Sequence, residues 1–114
     1  MTRLGPLAAG ISVTQVVPFP LTDSLPVTMA HRAFCARHGI QPSFHTMEAW
    51  LGVSLFINAV KSARTSQPSE IARLLASAPE LDFGGYFARW YESRPNPTAR
   101  GSLTVYDRDG KLRA

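Results

Sequence analysis

A chain of 114 residues is the size of one small domain, with room for a single modest core. Its 45% hydrophobic, 10% aromatic and 18% charged residues exclude a disordered, collagen-like or fibrous protein. The formal charge of +4 invites a nucleic-acid reading, but the basic residues are spread thinly and form no block, so the excess reads as a solvated surface.

Cys35 is the sole cysteine, which excludes an intrachain disulfide and a cysteine-rich zinc site. The segment from Met1 to Leu7 lacks the apolar stretch of a secretion signal, and Pro6 would break one. The chain as written is therefore expected to stay in the cytoplasm. The longest mainly apolar stretch, Ala49 to Val60, is too short to span a bilayer and carries Asn58.

In chain order, residues 1 to 10 read as a lead-in interrupted by Gly and Pro. Ile11 to Val17 alternates and is rich in β-branched residues, so it reads as a strand, with Ile11, Val13 and Gln15 on one face. The adjacent Val16 and Val17 suggest that its far end is covered on both faces. Pro18 and Pro20 remove ladder donors and end the pairing. Asp23 or Ser24 is a candidate N-cap and Pro26 suits a first turn, which predicts a helix over 25–38 with Val27, Ala30 and Phe34 inward and Gly39 closing it.

A second, stronger helix is predicted over 44–64. Its stripe of Trp50, Val53, Ile57 and Val60, widened by Leu51, Leu55 and Phe56, reads as largely buried, with Lys61 and Arg64 at the favourable carboxyl end. A third helix runs from Pro68 to about Ser77 with Ile71, Leu74 and Leu75 inward, and Pro79 ends it. The remainder reads as β: Leu81 to Phe83, a Gly84-Gly85 bend, Tyr86 to Trp90, a loop over 93–100, then Ser102 to Tyr106 and a tight turn at Asp109-Gly110. The expected order is β-α-α-α-β-β, in the α/β class.

The residues that could carry chemistry mostly have simpler readings. His31, His38 and His45 recur every seven residues, but two helical turns place the first pair about 10 Å apart, too far for one metal. They read as surface or capping histidines. Cys35 could pair with His31 or His38 as a nucleophile, yet a small helix commonly buries a cysteine as apolar filler. The acids Glu80 and Asp82, or Asp107 and Asp109, pair as hydrolase acids do, although Asp109 is explained by its turn with Gly110. Gly84-Gly85 lacks the helix and Lys-Ser/Thr of a phosphate loop and reads as a bend. Phe83, Tyr86, Phe87, Trp90 and Tyr91 read as core aromatics. The alternative is a small basic module that stacks single-stranded nucleic acid on Tyr86 and Trp90 beside Arg89 and Arg94.

The segments Thr14-Gln15-Val16-Val17-Pro18, Pro42-Ser43-Phe44, Phe83-Gly84-Gly85-Tyr86 and Asp109-Gly110, in this order and spacing, carry a resemblance. The chain resembles the C-terminal third of the periplasmic binding proteins of amino-acid ABC importers, in the leucine/isoleucine/valine-binding group, over nearly its whole length from Gly5. The resemblance implies a partial periplasmic-binding-protein-like fold, a single partial domain over residues 1–114, with helices packed on a small sheet. It implies a receptor for a small-molecule ligand, an amino acid or related acid, that works with a membrane permease and catalyses nothing, without cofactor, metal or nucleic acid. It also implies a periplasmic or cell-surface location. In this family the long helix starts near the cleft, so Phe44 is the implied ligand contact, as an apolar wall, its other reading being a helix-entry staple that packs inward. The groups that hold the ligand's ammonium and carboxylate lie mostly upstream. Sheet edges and lobe surfaces that the rest of a receptor covers are then expected to promote self-association.

Overall fold

The computed structural model describes residues 5–78, 80–88 and 102–113. After a 3-10 turn at Gly5–Ala8, the elements are β1 (Ser12–Gln15), α1 (Pro26–Arg37), α2 (Phe44–Ala63), α3 (Pro68–Ser77), β2 (Leu81–Asp82), β3 (Phe87–Ala88), β4 (Ser102–Tyr106) and β5 (Leu112–Arg113). The chain is thus mixed α/β. The expected order holds through the third helix, and beyond it the described residues hold four short strands where the expected order counted two.

Among the described residues every strand pairing is antiparallel. β1 runs against β4 from Ser12↔Val105 to Gln15↔Ser102, and β5 flanks β4 on its other side. β2 and β3 form a separate hairpin through Leu81↔Ala88 and Asp82↔Phe87. β1 is shorter than the alternation suggests, and Val16 beyond it is 48% exposed while Val17 is buried. The end of this strand is therefore covered on one face, not two. The pairing stops where the prolines remove donors, and Val17 to Pro20 form a buried crossing segment instead.

The helix ends follow local chemistry. α1 begins at Pro26, whose missing N–H costs nothing at this position. Its N-cap is Leu25, not Asp23 or Ser24. Asp23 acts one step earlier, its Oδ1 accepting from Leu25 N at 2.8 Å. Gly39, at φ +65°, follows the helix as the left-handed residue expected there. α2 starts with a reciprocal cap: Ser43 Oγ accepts from Thr46 N at 3.2 Å, and Thr46 Oγ1 accepts from Ser43 N at 2.9 Å.

The core is small. Val17, Val27, Met47 and Leu51 form its centre, with Leu25, Phe44, Trp50, Phe83 and Tyr86 packed around them. It therefore gathers the crossing segment, the first turns of α1, the amino-terminal half of α2 and the β2–β3 hairpin. The hairpin approaches closely because Gly84 has no side chain. Its carbonyl accepts from Val27 N at 3.2 Å, and a Cβ there would lie 3.0 Å from that same nitrogen. Tyr86 fixes the other side, its hydroxyl donating to Val16 O at 3.0 Å.

α2 departs most from expectation. Met47, Leu51 and Ala59 are buried, but Val53, Phe56 and Ile57 are 58%, 59% and 44% exposed. The helix is apolar around most of its circumference, and α1 and α3 cover only part of it. α1 is offset in the same way: Val27, Thr28, His31 and Cys35 face inward, while Ala30 and Phe34 lie exposed.

Candidate functional site

Among the described residues, one concavity uses the end of the crossing segment and another the α1–α2 seam. The first, about 350 Å³, lies between the end of the crossing segment and β5 and is lined by Phe19, Leu21, Thr22, Lys111, Leu112 and Arg113. Phe19 is buried within the segment Val17 to Pro20, all four residues of which are buried. β5 reaches the site through a turn organised by Asp107, whose Oδ1 accepts from Asp109 N and Lys111 N at 3.0 and 2.8 Å. Asp107 Oδ2 also accepts from Arg113 Nε at 2.8 Å. That bond, more than any other contact, holds the Asp107 carboxyl below its ordinary pKa. The turn thus presents Lys111 beside an apolar wall and ties Arg113 back to its own strand.

Phe44, the ligand contact expected from the sequence, is the first residue of α2 and is half-buried against the core. Its ring lies 5.7 Å from that of Phe19, centroid to centroid. Phe44 therefore backs the Phe19 wall of the first concavity. Phe19, Lys111 and Arg113 escaped the sequence reading. The signal for Phe19 was the non-alternating run Val16-Val17-Pro18-Phe19-Pro20, which marks a buried extended segment, not only a strand end.

The second concavity, about 230 Å³, opens over the α1–α2 seam and is walled by Phe34, Ile40, Trp50 and Val53, with His31, Cys35, Thr46 and Ala49 also in its lining. His31 is 1% exposed, so the expectation of a surface or capping histidine fails for it. The helical period that carries Val27 inward carries His31, at i+4, with it. Its Nε2 lies 3.1 Å from Thr46 Oγ1 and 3.3 Å from Cys35 Sγ. Desolvation, and to a lesser degree the Arg32 charge, lower its pKa below the ordinary 6.5. The partner of Cys35 is thus His31, one turn back, and the third polar group is a threonine on another helix. His38 caps α1 on the surface and stacks near Phe34, and His45 is exposed on α2.

The remaining constellations have local roles. Asp82 Oδ1 accepts from Gly85 N at 2.7 Å and closes the hairpin bend. Tyr86 packs on the core, while Arg89, Trp90, Tyr91 and Arg94 lie outside the described residues, as does the loop expected over 93–100. No helix among the described residues is long and apolar enough to cross a membrane.

No protein-family model and no curated protein matches the chain. Solved structures do. An extracellular ligand-binding receptor from Verminephrobacter eiseniae superposes with a TM-score of 0.81 at 21% identity, over 94% of this chain and 31% of that one. A substrate-binding periplasmic protein from Ralstonia solanacearum gives 0.78 at 21% identity, over 92% and 31%. A possible leucine/isoleucine/valine-binding protein from Rhodopirellula baltica gives 0.81 at 27% identity, over 99% and 32%. The chain has a periplasmic-binding-protein-like fold, as its sequence resemblance implied, and spans about a third of the length of the structures it matches.

Proposed function

We propose that this chain is a C-terminal portion, one partial domain over residues 1–114, of a periplasmic or cell-surface receptor for a branched-chain amino acid or related small carboxylic acid. Such a receptor delivers its ligand to the membrane permease of an ABC importer and performs no catalysis. The observation that carries this reading is the cavity of about 350 Å³ lined by Phe19, Leu21 and Lys111, with Phe44 packed against Phe19. An apolar lining that also carries a cation suits a ligand with an aliphatic or aromatic body and a carboxylate, and the matched folds belong to ligand-binding receptors.

In this reading Lys111 attracts the carboxylate and Phe19, supported from behind by Phe44, takes the side chain. The test is ligand-observed saturation-transfer NMR of the chain with leucine, phenylalanine and 4-methylpentanoate. Binding of at least one is expected, weakened in Lys111→Gln through the carboxylate and in Phe44→Ala by about 1–3 kcal/mol through lost apolar burial. Binding by no member of the panel, or binding indifferent to both substitutions, would remove the site.

A further inference from the structure

We propose that Arg32 is a positioning residue of the cavity beside Phe19, and that by holding the loop after Pro20 it sets which ligand side chains the cavity accepts. This role rests on the receptor reading above, since it concerns the same cavity. Arg32 sits on α1, outside the lining. Its Nη1 donates to Asp23 O at 2.7 Å and to Pro20 O at 3.4 Å. These two acceptors bracket Leu21 and Thr22, which line the cavity.

Packing fixes this loop at its ends but not between them. Pro20 is fully buried and Leu25 packs on the core, whereas Leu21 is 52% exposed and Thr22 is exposed too. The bonds of Asp23 itself are short in range: its N donates to Phe19 O at 3.3 Å, and its carboxylate accepts from Leu25 N. They shape the turn, while Arg32 ties it to a helix. Among the described residues the ion pairs are Arg73–Glu70 and Arg113–Asp107, so the half-buried Arg32 guanidinium is directed at carbonyls and not at a carboxylate. Charge-assisted bonds of this kind are about twice as strong as neutral ones, and the planar group offers both Nη1 hydrogens in fixed directions. Without the tether, a ligand would have to order Leu21 and Thr22 as it binds, which weakens affinity. The Lys111 part of the lining is held separately, through Asp107. Loss of Arg32 should therefore alter recognition of the side chain and leave recognition of the carboxylate in place.

The experiment measures affinities of the whole chain for leucine, phenylalanine and 4-methylpentanoate by NMR titration, in the parent, Arg32→Lys and Arg32→Met. Arg37→Met, at an exposed arginine of the same helix, is the control and should match the parent. Arg32→Met should weaken leucine and 4-methylpentanoate by roughly 5- to 50-fold, the cost of ordering two side chains on binding, with Arg32→Lys between it and the parent. The ratio of leucine to phenylalanine affinity should move toward equality, and the fold loss caused by Lys111→Gln should be the same with and without Arg32. A merely structural role would lower the thermal midpoint and leave that ratio unchanged. An unchanged ratio in folded variants overturns the role of Arg32 while the binding of the parent stands; no binding by the parent removes the receptor reading and this role together. If neither variant folds, the parent decides. Its Arg32 Nη1 protons should give resolved, slowly rotating signals that shift when leucine or 4-methylpentanoate is added, and averaged signals that neither compound moves would overturn the proposal.

Discussion

His31 shows how one side chain ties local helix chemistry to tertiary packing. It is buried between two helices, and its Nε2 contacts Thr46, the residue that completes the α2 cap. Its pKa is lowered in the folded chain, so the unfolded state binds more protons as the pH falls through the ordinary 6.5. The contribution of neutral His31 to stability is complete above that value and is lost progressively from there down to the folded pKa. Denaturant midpoints between pH 8 and pH 5 should therefore fall below about pH 6.5, and His31→Gln should flatten this slope. A midpoint insensitive to pH in this window in the parent chain would contradict the burial.

At the scale of elements, the helices stand where sequence placed them because proline, cap and glycine signals act within a few residues. Pro26, Ser43, Pro68 and Gly39 each sit at the boundary they specify. Replacing Ser43 by Ala removes half of the reciprocal cap of α2 and should cost about 1 kcal/mol, read as a shift in the unfolding midpoint. Ser43→Asp, which keeps an acceptor, should recover most of it. The faces of the helices were less legible than their ends. Periodicity shows that α2 is apolar at Trp50, Val53, Phe56 and Ile57, but not which of these positions another element reaches. The His31–Cys35–Thr46 cluster was half legible for the same reason: the i, i+4 spacing lies in the sequence, whereas Thr46 arrives from a second helix, 15 residues away. In the β region the hairpin was legible through Gly84-Gly85. The pairing of β1 with β4, some 90 residues apart, has no local signal.

The whole molecule is extended for its length. Its radius of gyration is 16.4 Å, against about 13 Å for a compact domain of this size, and its principal extents are 50 × 34 × 23 Å. Phe34, Ile40, Val53, Phe56 and Ile57 form open apolar surface on α1, α2 and the loop between them, beside the half-buried Trp50. In the proposed receptor this is surface for the remaining two-thirds of the protein to cover, and on the chain alone it should drive association. Sedimentation velocity should show mass rising with concentration, reduced in Phe56→Lys, whose stability should stay within about 0.5 kcal/mol of the parent because Phe56 contributes little to the core. A monomer at all concentrations would show that this face needs no cover.

The resemblance was legible at this scale because it lay in the order of short segments, which survives at 27% identity and less, and not in any catalytic signature. What those segments bind was less legible, since the cavity beside Phe44 joins residues from the two ends of the chain, Phe19 and Lys111. Thermal unfolding of the chain with and without aliphatic and aromatic amino acids and their carboxylic-acid analogues tests the central claim most directly. The account predicts a cooperative transition whose midpoint rises with at least one small acid, since binding to the folded state adds stability by mass action. A midpoint that no member of the panel moves would contradict a ligand site in this chain.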